Sequence, residues 1–158
     1  MARSDHAYTG VYNATALTLT DQEGAAVALD AKGNTTISPI PAGATQLSAF
    51  SGNVANAVAT ATLAGVAGKT TYINGFSLTG AGATAGLSVT VTVAGVIGGT
   101  VSYTYSAATG ATVANTPILE DYAFPVPASA TNTAIVVSCP ALGIGNTNNT
   151  ISARGYQI

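Results

Sequence analysis

The sequence predicts an all-β fold: a β-sandwich of jelly-roll type over residues 51–158, preceded by an extended N-terminal arm and a Pro/Gly linker over residues 1–50. Three observations carry this reading. Ala, Val, Ile and Leu supply the apolar content with Thr beside them, and Val and Thr are strand formers, while Trp is absent and aromatics are only 6%. Apolar and hydroxylic residues alternate with a period of two, most clearly in Leu87-Ser88-Val89-Thr90-Val91-Thr92-Val93. The 18 Gly and 6 Pro then break the chain into short segments of strand length.

The elements follow in order. The first 38 residues hold two alternating pieces, Ala16-Leu17-Thr18-Leu19-Thr20 and Ala26-Val27-Ala28-Leu29, separated by the turn signals Asp21–Gly24 and Asp30–Asn34. This segment is too short to own a core, so it reads as an arm that offers Leu17, Leu19, Val27 and Leu29 to a partner. Pro39-Ile40-Pro41-Ala42-Gly43 is a stiff linker, because both prolines fix φ and donate no ladder hydrogen bond. In residues 54–64 the alanines favour helix and the Thr alternation favours strand; strand is the reading, since neighbouring strands need partners. Tyr72, Phe76 and Leu78 line one side of a strand at Thr70–Thr79, which Gly80-Ala81-Gly82 ends. Residues 87–105 form a hairpin turned at Gly95–Gly99. Tyr122, Phe124 and Val126 share a face before Pro127. Ala134–Val137 is continuously apolar, as in a strand buried on both faces, and Ile151–Ile158 is the last strand.

Charge is the second theme. After Lys32 only Lys69, Glu120, Asp121 and Arg154 are charged. Chains this poor in charge are membrane spans, repeats, or proteins that hide their surface. Polar residues interrupt every apolar run, so nothing approaches the roughly 18–20 apolar residues of a spanning helix. No internal repeat appears. A net charge of −2 with no basic patch argues against nucleic acid. What remains is an uncharged Thr/Ala/Gly surface suited to permanent packing against other subunits, since interspersed charge is what keeps free domains soluble.

Candidate chemistry is sparse. His6 lies in the polar tail, without a neighbour to orient it as a base. Cys139 is the one cysteine; it cannot form an internal disulfide and reads as a small buried hydrophobe. Glu120 and Asp121 are adjacent on a strand and point to opposite faces, so they do not form a glycosidase pair by themselves; Asp30 is the distant carboxylate that could complete one. Asp21, Glu23 and Asp30 lack the spacing of a calcium loop. Gly95–Gly99 has no Lys and joins two strands, so it is no phosphate loop. Lys69 and Arg154 are expected to pair with Glu120 or Asp121 or to be solvated. No secretory leader is evident, which predicts synthesis in a reducing host cytoplasm and makes the Asn-x-Thr sequons at Asn13, Asn34 and Asn148 accidents of composition. No cofactor or metal is expected.

The order of segments carries a resemblance. Gly68-Lys69-Thr70-Thr71-Tyr72-Ile73-Asn74-Gly75-Phe76 precedes Thr79-Gly80-Ala81-Gly82-Ala83-Thr84-Ala85 and the hairpin. Phe124-Pro125-Val126-Pro127-Ala128-Ser129-Ala130, Asn132–Val137, Gly143–Asn148 and Arg154-Gly155-Tyr156 follow. Over about residues 52–158 this resembles small virion structural proteins of tailed bacteriophages. The arm, with Thr18–Asp21, Val27–Leu29 and Asp30–Gly33, is similar to a segment of phage structural proteins, but Gly24 comes late and Ala and Thr replace larger apolar residues. The resemblance implies a non-enzymatic component of the particle. The expectation is a capsid decoration (cement) protein on the head surface, a homo-oligomer of three copies whose arm ties major capsid proteins together. The alternative is a receptor- or glycan-binding module of a head or tail fibre, which clustered aromatics on loops would favour; Tyr72, Tyr103 and Tyr105 lie instead on predicted strands.

Overall fold

A computed structural model describes residues 40–41, 43–110 and 113–158. They form eight strands: β1 (Thr45–Phe50), β2 (Ala59–Leu63), β3 (Thr71–Ala81), β4 (Leu87–Ala94), β5 (Val101–Ala107), β6 (Ile118–Pro127), β7 (Ile135–Cys139) and β8 (Asn148–Gln157). There is no helix among the described residues. The strands make two four-stranded sheets, ordered β1-β8-β3-β6 and β2-β7-β4-β5, and every pairing is antiparallel. The pairs are nested: first with last, second with seventh, third with sixth, fourth with fifth.

The period-two pattern fills the core. From one sheet come Ala59, Ala61 and Leu63, Ile135, Val137 and Cys139, Val91 and Val93, and Tyr105 with Ala107, all buried. From the other come Ile73, Phe76, Leu78, Ile151 and Ala153. These residues form one continuous cluster. Phe76 is the largest fully buried side chain and meets the Tyr103 ring edge-on at 5.3 Å. Full burial of such a side chain contributes about 1.5–3 kcal/mol. The buried polar residues are Thr71, Asn115, Asn146, Asn149 and Gln157, so no charge enters this core. The hairpin at 87–105 forms as the alternation predicts, with Gly95, Gly98 and Gly99 at positive φ in its turn.

Four expectations need correction. Residues 54–64 are strand only over Ala59–Leu63, where pairing with β7 overrides the helix preference of alanine. Val54 makes a single bridge to Asn149, and Asn56, at φ 44°, turns the chain in between. Tyr72 does not share a face with Phe76 and Leu78. The register of β3 shifts between Ile73 and Gly75 against both neighbours, so Ile73 joins Phe76 in the core. Tyr72 turns to the other face and stacks on Tyr156 at 4.9 Å. Phe124 does not share a face with Tyr122 and Val126. The β3–β6 ladder stops at Gly75–Asp121 and resumes at Ile73–Val126, and Phe124 lies in the released stretch, 85% exposed. Gly75 permits this junction, because a Cβ there would strike the Glu120 carbonyl oxygen.

The fourth correction concerns the boundary. The segment assigned to arm and linker contains β1, which pairs with β8 from Thr45–Gln157 to Phe50–Ser152. The unit that holds both sheets starts at Ile40. Pro41 nonetheless lies ahead of the first strand of the described residues, as its missing donor requires.

Two predictions follow from burial and register. Val91 is fully buried and Thr90 is exposed on the same strand. Val91→Asp should abolish the cooperative thermal melt, since an unpaired buried carboxylate removes a large part of a typical stability of about 5–15 kcal/mol. Thr90→Asp should shift the melting temperature by no more than a few degrees. A chain beginning at Ile40 should melt cooperatively with strand-type circular dichroism. One beginning at Ser51 should melt markedly lower, because it bares the β8 edge.

Candidate interaction surface

The outward face of the sheet β2-β7-β4-β5 is a hydroxyl array. Register places Thr60 beside Ser138, Ser138 beside Thr92 and Thr92 beside Ser102, a row that crosses all four strands. Thr90–Thr104 and Ser88–Ser106 form further pairs. Some of these hydroxyls bond to one another: Ser88 Oγ lies 3.1 Å from Ser106 Oγ, and Thr60 Oγ1 lies 3.5 Å from Ser138 Oγ. None of the four strands contains a charged residue. Such a face carries methyls and short hydroxyls only, so a partner can cover it without desolvating a charge.

The other sheet holds the charges. Arg154 Nη2 meets Asp121 Oδ2 at 3.2 Å, one of the pairings expected from sequence. Both side chains are more than half exposed, so the pair adds little stability. Glu120 is opposite the buried Phe76 in register and Asp121 is opposite Gly75, so the two carboxylates diverge. Lys69 Nζ donates to Thr45 Oγ1 at 3.2 Å. Phe76, Ser77, Leu119, Glu120, Asp121 and Arg154 line an open groove of about 220 Å³. Around this sheet Phe50, Leu119 and Phe124 are 71%, 73% and 85% exposed.

Reactive side chains are not gathered anywhere in the described part of the chain. No group of three His, Cys, Asp or Glu residues is placed to hold a metal among the described residues. Cys139 is buried, as expected, with its thiol on the Pro140 carbonyl at 3.4 Å. His6, Asp21, Glu23 and Asp30, and the arm residues Leu17, Leu19, Val27 and Leu29, lie outside the described residues. No helix of the described residues is long and apolar enough to cross a membrane.

Two buried asparagines escaped the sequence reading. Asn146 donates to the carbonyls of Ala81 and Asn148 at 2.9 and 2.8 Å and accepts from the Asn56 amide at 3.0 Å. Asn149 donates to the carbonyls of Ala57 and Pro140, both at 3.3 Å. Together they fasten the turn before β8 to the ends of three other segments. The Gly143-Ile144-Gly145-Asn146-Thr147-Asn148 run signals a turn, but not which of its amides is buried. Compared with known proteins, the chain matches no family, no curated protein and no solved structure.

Burial sets the pH response. It raises Tyr105 and Tyr122 above their ordinary 10.0, with the Tyr103 hydroxyl at 3.1 Å holding Tyr122 further in its neutral form, and it raises Cys139 above 9.0. In each case the fold keeps a proton that the unfolded chain releases near the ordinary value. Stability from these groups is therefore complete below that value and is lost as pH climbs towards the raised one. Thermal melts should show a falling midpoint from about pH 9 upward, and Tyr122→Phe should flatten part of the fall.

Proposed function

We propose that this chain is a structural protein of a bacteriophage particle, a capsid decoration (cement) protein whose β domain is a jelly-roll sandwich. The observation that carries the reading is the strand order. A long hairpin rolled up so that β1 pairs β8, β2 pairs β7, β3 pairs β6 and β4 pairs β5 is the wiring of an eight-stranded jelly roll, an architecture of viral capsid and lectin domains. The uncharged outward face of the sheet β2-β7-β4-β5 supports a life in permanent contact with other subunits, and the scattered reactive groups of the described residues favour a structural role over an enzymatic one.

In this reading the domain sits on the head surface as a cyclic homo-oligomer of three copies. Residues 1–38 reach across neighbouring major capsid proteins and dock Leu17, Leu19, Val27 and Leu29. Ordering such an arm costs roughly 1–2 kcal/mol per residue in backbone entropy. Shared backbone hydrogen bonds and the burial of these apolar side chains must outweigh it. The net gain is extra interface that resists pressure from inside the shell. Neither nucleic acid nor membrane is a partner.

The test uses particles and the full chain. Immunogold against the chain should label heads in a lysate where it is made. Emptied heads should bring down the full chain in sedimentation, and bind a chain beginning at Ile40 at least tenfold more weakly. Label confined to tail tips would replace this reading with the fibre module, and absence from particles would discard both.

A further inference from the structure

Each sheet has two edges, and the four edge strands differ in how they are protected. β6 carries Glu120, Asp121, Pro125 and Pro127 and a broken ladder, all devices that discourage a further strand. β2 has only five residues. In β1, the Lys69 ammonium sits on Thr45. β5 has none of these. It runs seven residues without a charge, Pro or Gly, and pairs with β4 with no register shift. Among the described residues no strand pairs with its other edge. Val101 at its start is 41% exposed.

The order of residues on β5 selects the strand that would fit there. Ser102-Tyr103-Thr104-Tyr105-Ser106 reads the same in both directions. Set antiparallel to a second copy of itself and centred on Thr104, it places Ser102 opposite Ser106, Tyr103 opposite Tyr105, Thr104 opposite Thr104 and Val101 opposite Ala107. The outward face then meets hydroxyl against hydroxyl, the same combination that Ser88 and Ser106 already make at 3.1 Å within the sheet. On the inward face Tyr103 stands opposite the buried Tyr105, so no charge or polar clash arises there, and the hydroxyl cross-strand pairs are favourable. A two-fold axis through an antiparallel pair stands perpendicular to the sheet, so the two hydroxyl arrays lie on one side and become continuous.

We propose that two copies of this chain join edge to edge through β5, two-fold about Thr104, into one eight-stranded sheet. The contact is isologous, each edge serving as both template and partner. It stands independently of any particle. If rings of three also form, it links them in pairs, so assemblies contain an even number of copies.

The whole chain tests this. Sedimentation should give a mass of two copies, or of six. Thr104→Lys, which sets like charges face to face on the axis, should halve that mass while leaving far-ultraviolet circular dichroism unchanged. Thr104→Cys, treated with a short bismaleimide, should run as a covalent dimer. Ser102→Cys alone should not cross-link, whereas a mixture of Ser102→Cys and Ser106→Cys chains should. The buried Cys139 leaves the unmodified chain as the blank. A mass of one or three copies overturns the proposal. So does Thr104→Cys cross-linking no better than Thr90→Cys one strand inward, which would mean that another segment, such as the arm of the same chain, covers the edge.

Discussion

The pleat of a β-strand sends successive side chains to opposite faces, and residues 40–158 depend on that alternation being kept almost without charge. In Leu87–Ala94 it directs Val91 and Val93 into the core and leaves Ser88 and Thr90 exposed outside. β2, β5 and β7 repeat the scheme with Ala, Tyr, Ile and Val inside and, Val136 apart, Thr and Ser outside. Because the outside is hydroxylic, a side chain there can be solvated or can bond to its cross-strand neighbour with little change in energy. Such a surface is suited equally to exposure and to being covered. A face of Lys and Glu would stay soluble but resist covering, and a face of Leu would do the reverse.

Where the alternation is local, it was legible. The hairpin, its glycine turn, the final strand and the inward valines follow from residues that are near one another in sequence. The failures sit where a distant contact breaks the period. Nothing near Tyr72 announces that β3 takes one extra residue against β8, because the shift is made in ladders with distant strands, where Gly75 permits a close approach to the backbone of Glu120. Phe124 looked like an inward aromatic by spacing alone, yet it falls where the ladder between β3 and β6 is interrupted. β1 was hidden for a related reason. Thr45-Gln46-Leu47-Ser48-Ala49-Phe50 alternates only weakly, and its place in the sheet comes from β8, about a hundred residues away, not from its own pattern.

The candidate surface divides in the same way. Its composition could be read directly, since the strands that build it contain no charge. Its geometry could not. That Thr60, Ser138, Thr92 and Ser102 form one row depends on the registers of three separate ladders. The buried asparagines show the limit most plainly. Asn146 and Asn149 look like loop residues in a polar turn, and only the fold shows that their amides satisfy carbonyls of Ala81, Ala57 and Pro140. Those bonds act beside the buried Leu142, which packs the same region into the core.

The nested pairing has a consequence for biosynthesis. β8 lies between β1 and β3, so the first sheet has no centre until residue 157 is available. A ribosome emits β1 through β7 before that moment: the sheet β2-β7-β4-β5 then has all its strands, but β1 has no partner and β3 has only β6. Completion of the first sheet must therefore wait for translation to reach β8, and the pairing of sequence-distant segments makes it slow even then. A chain cut short by premature termination lacks the strand that joins β1 to β3. The topology thus makes closure of this sheet conditional on translation through β8.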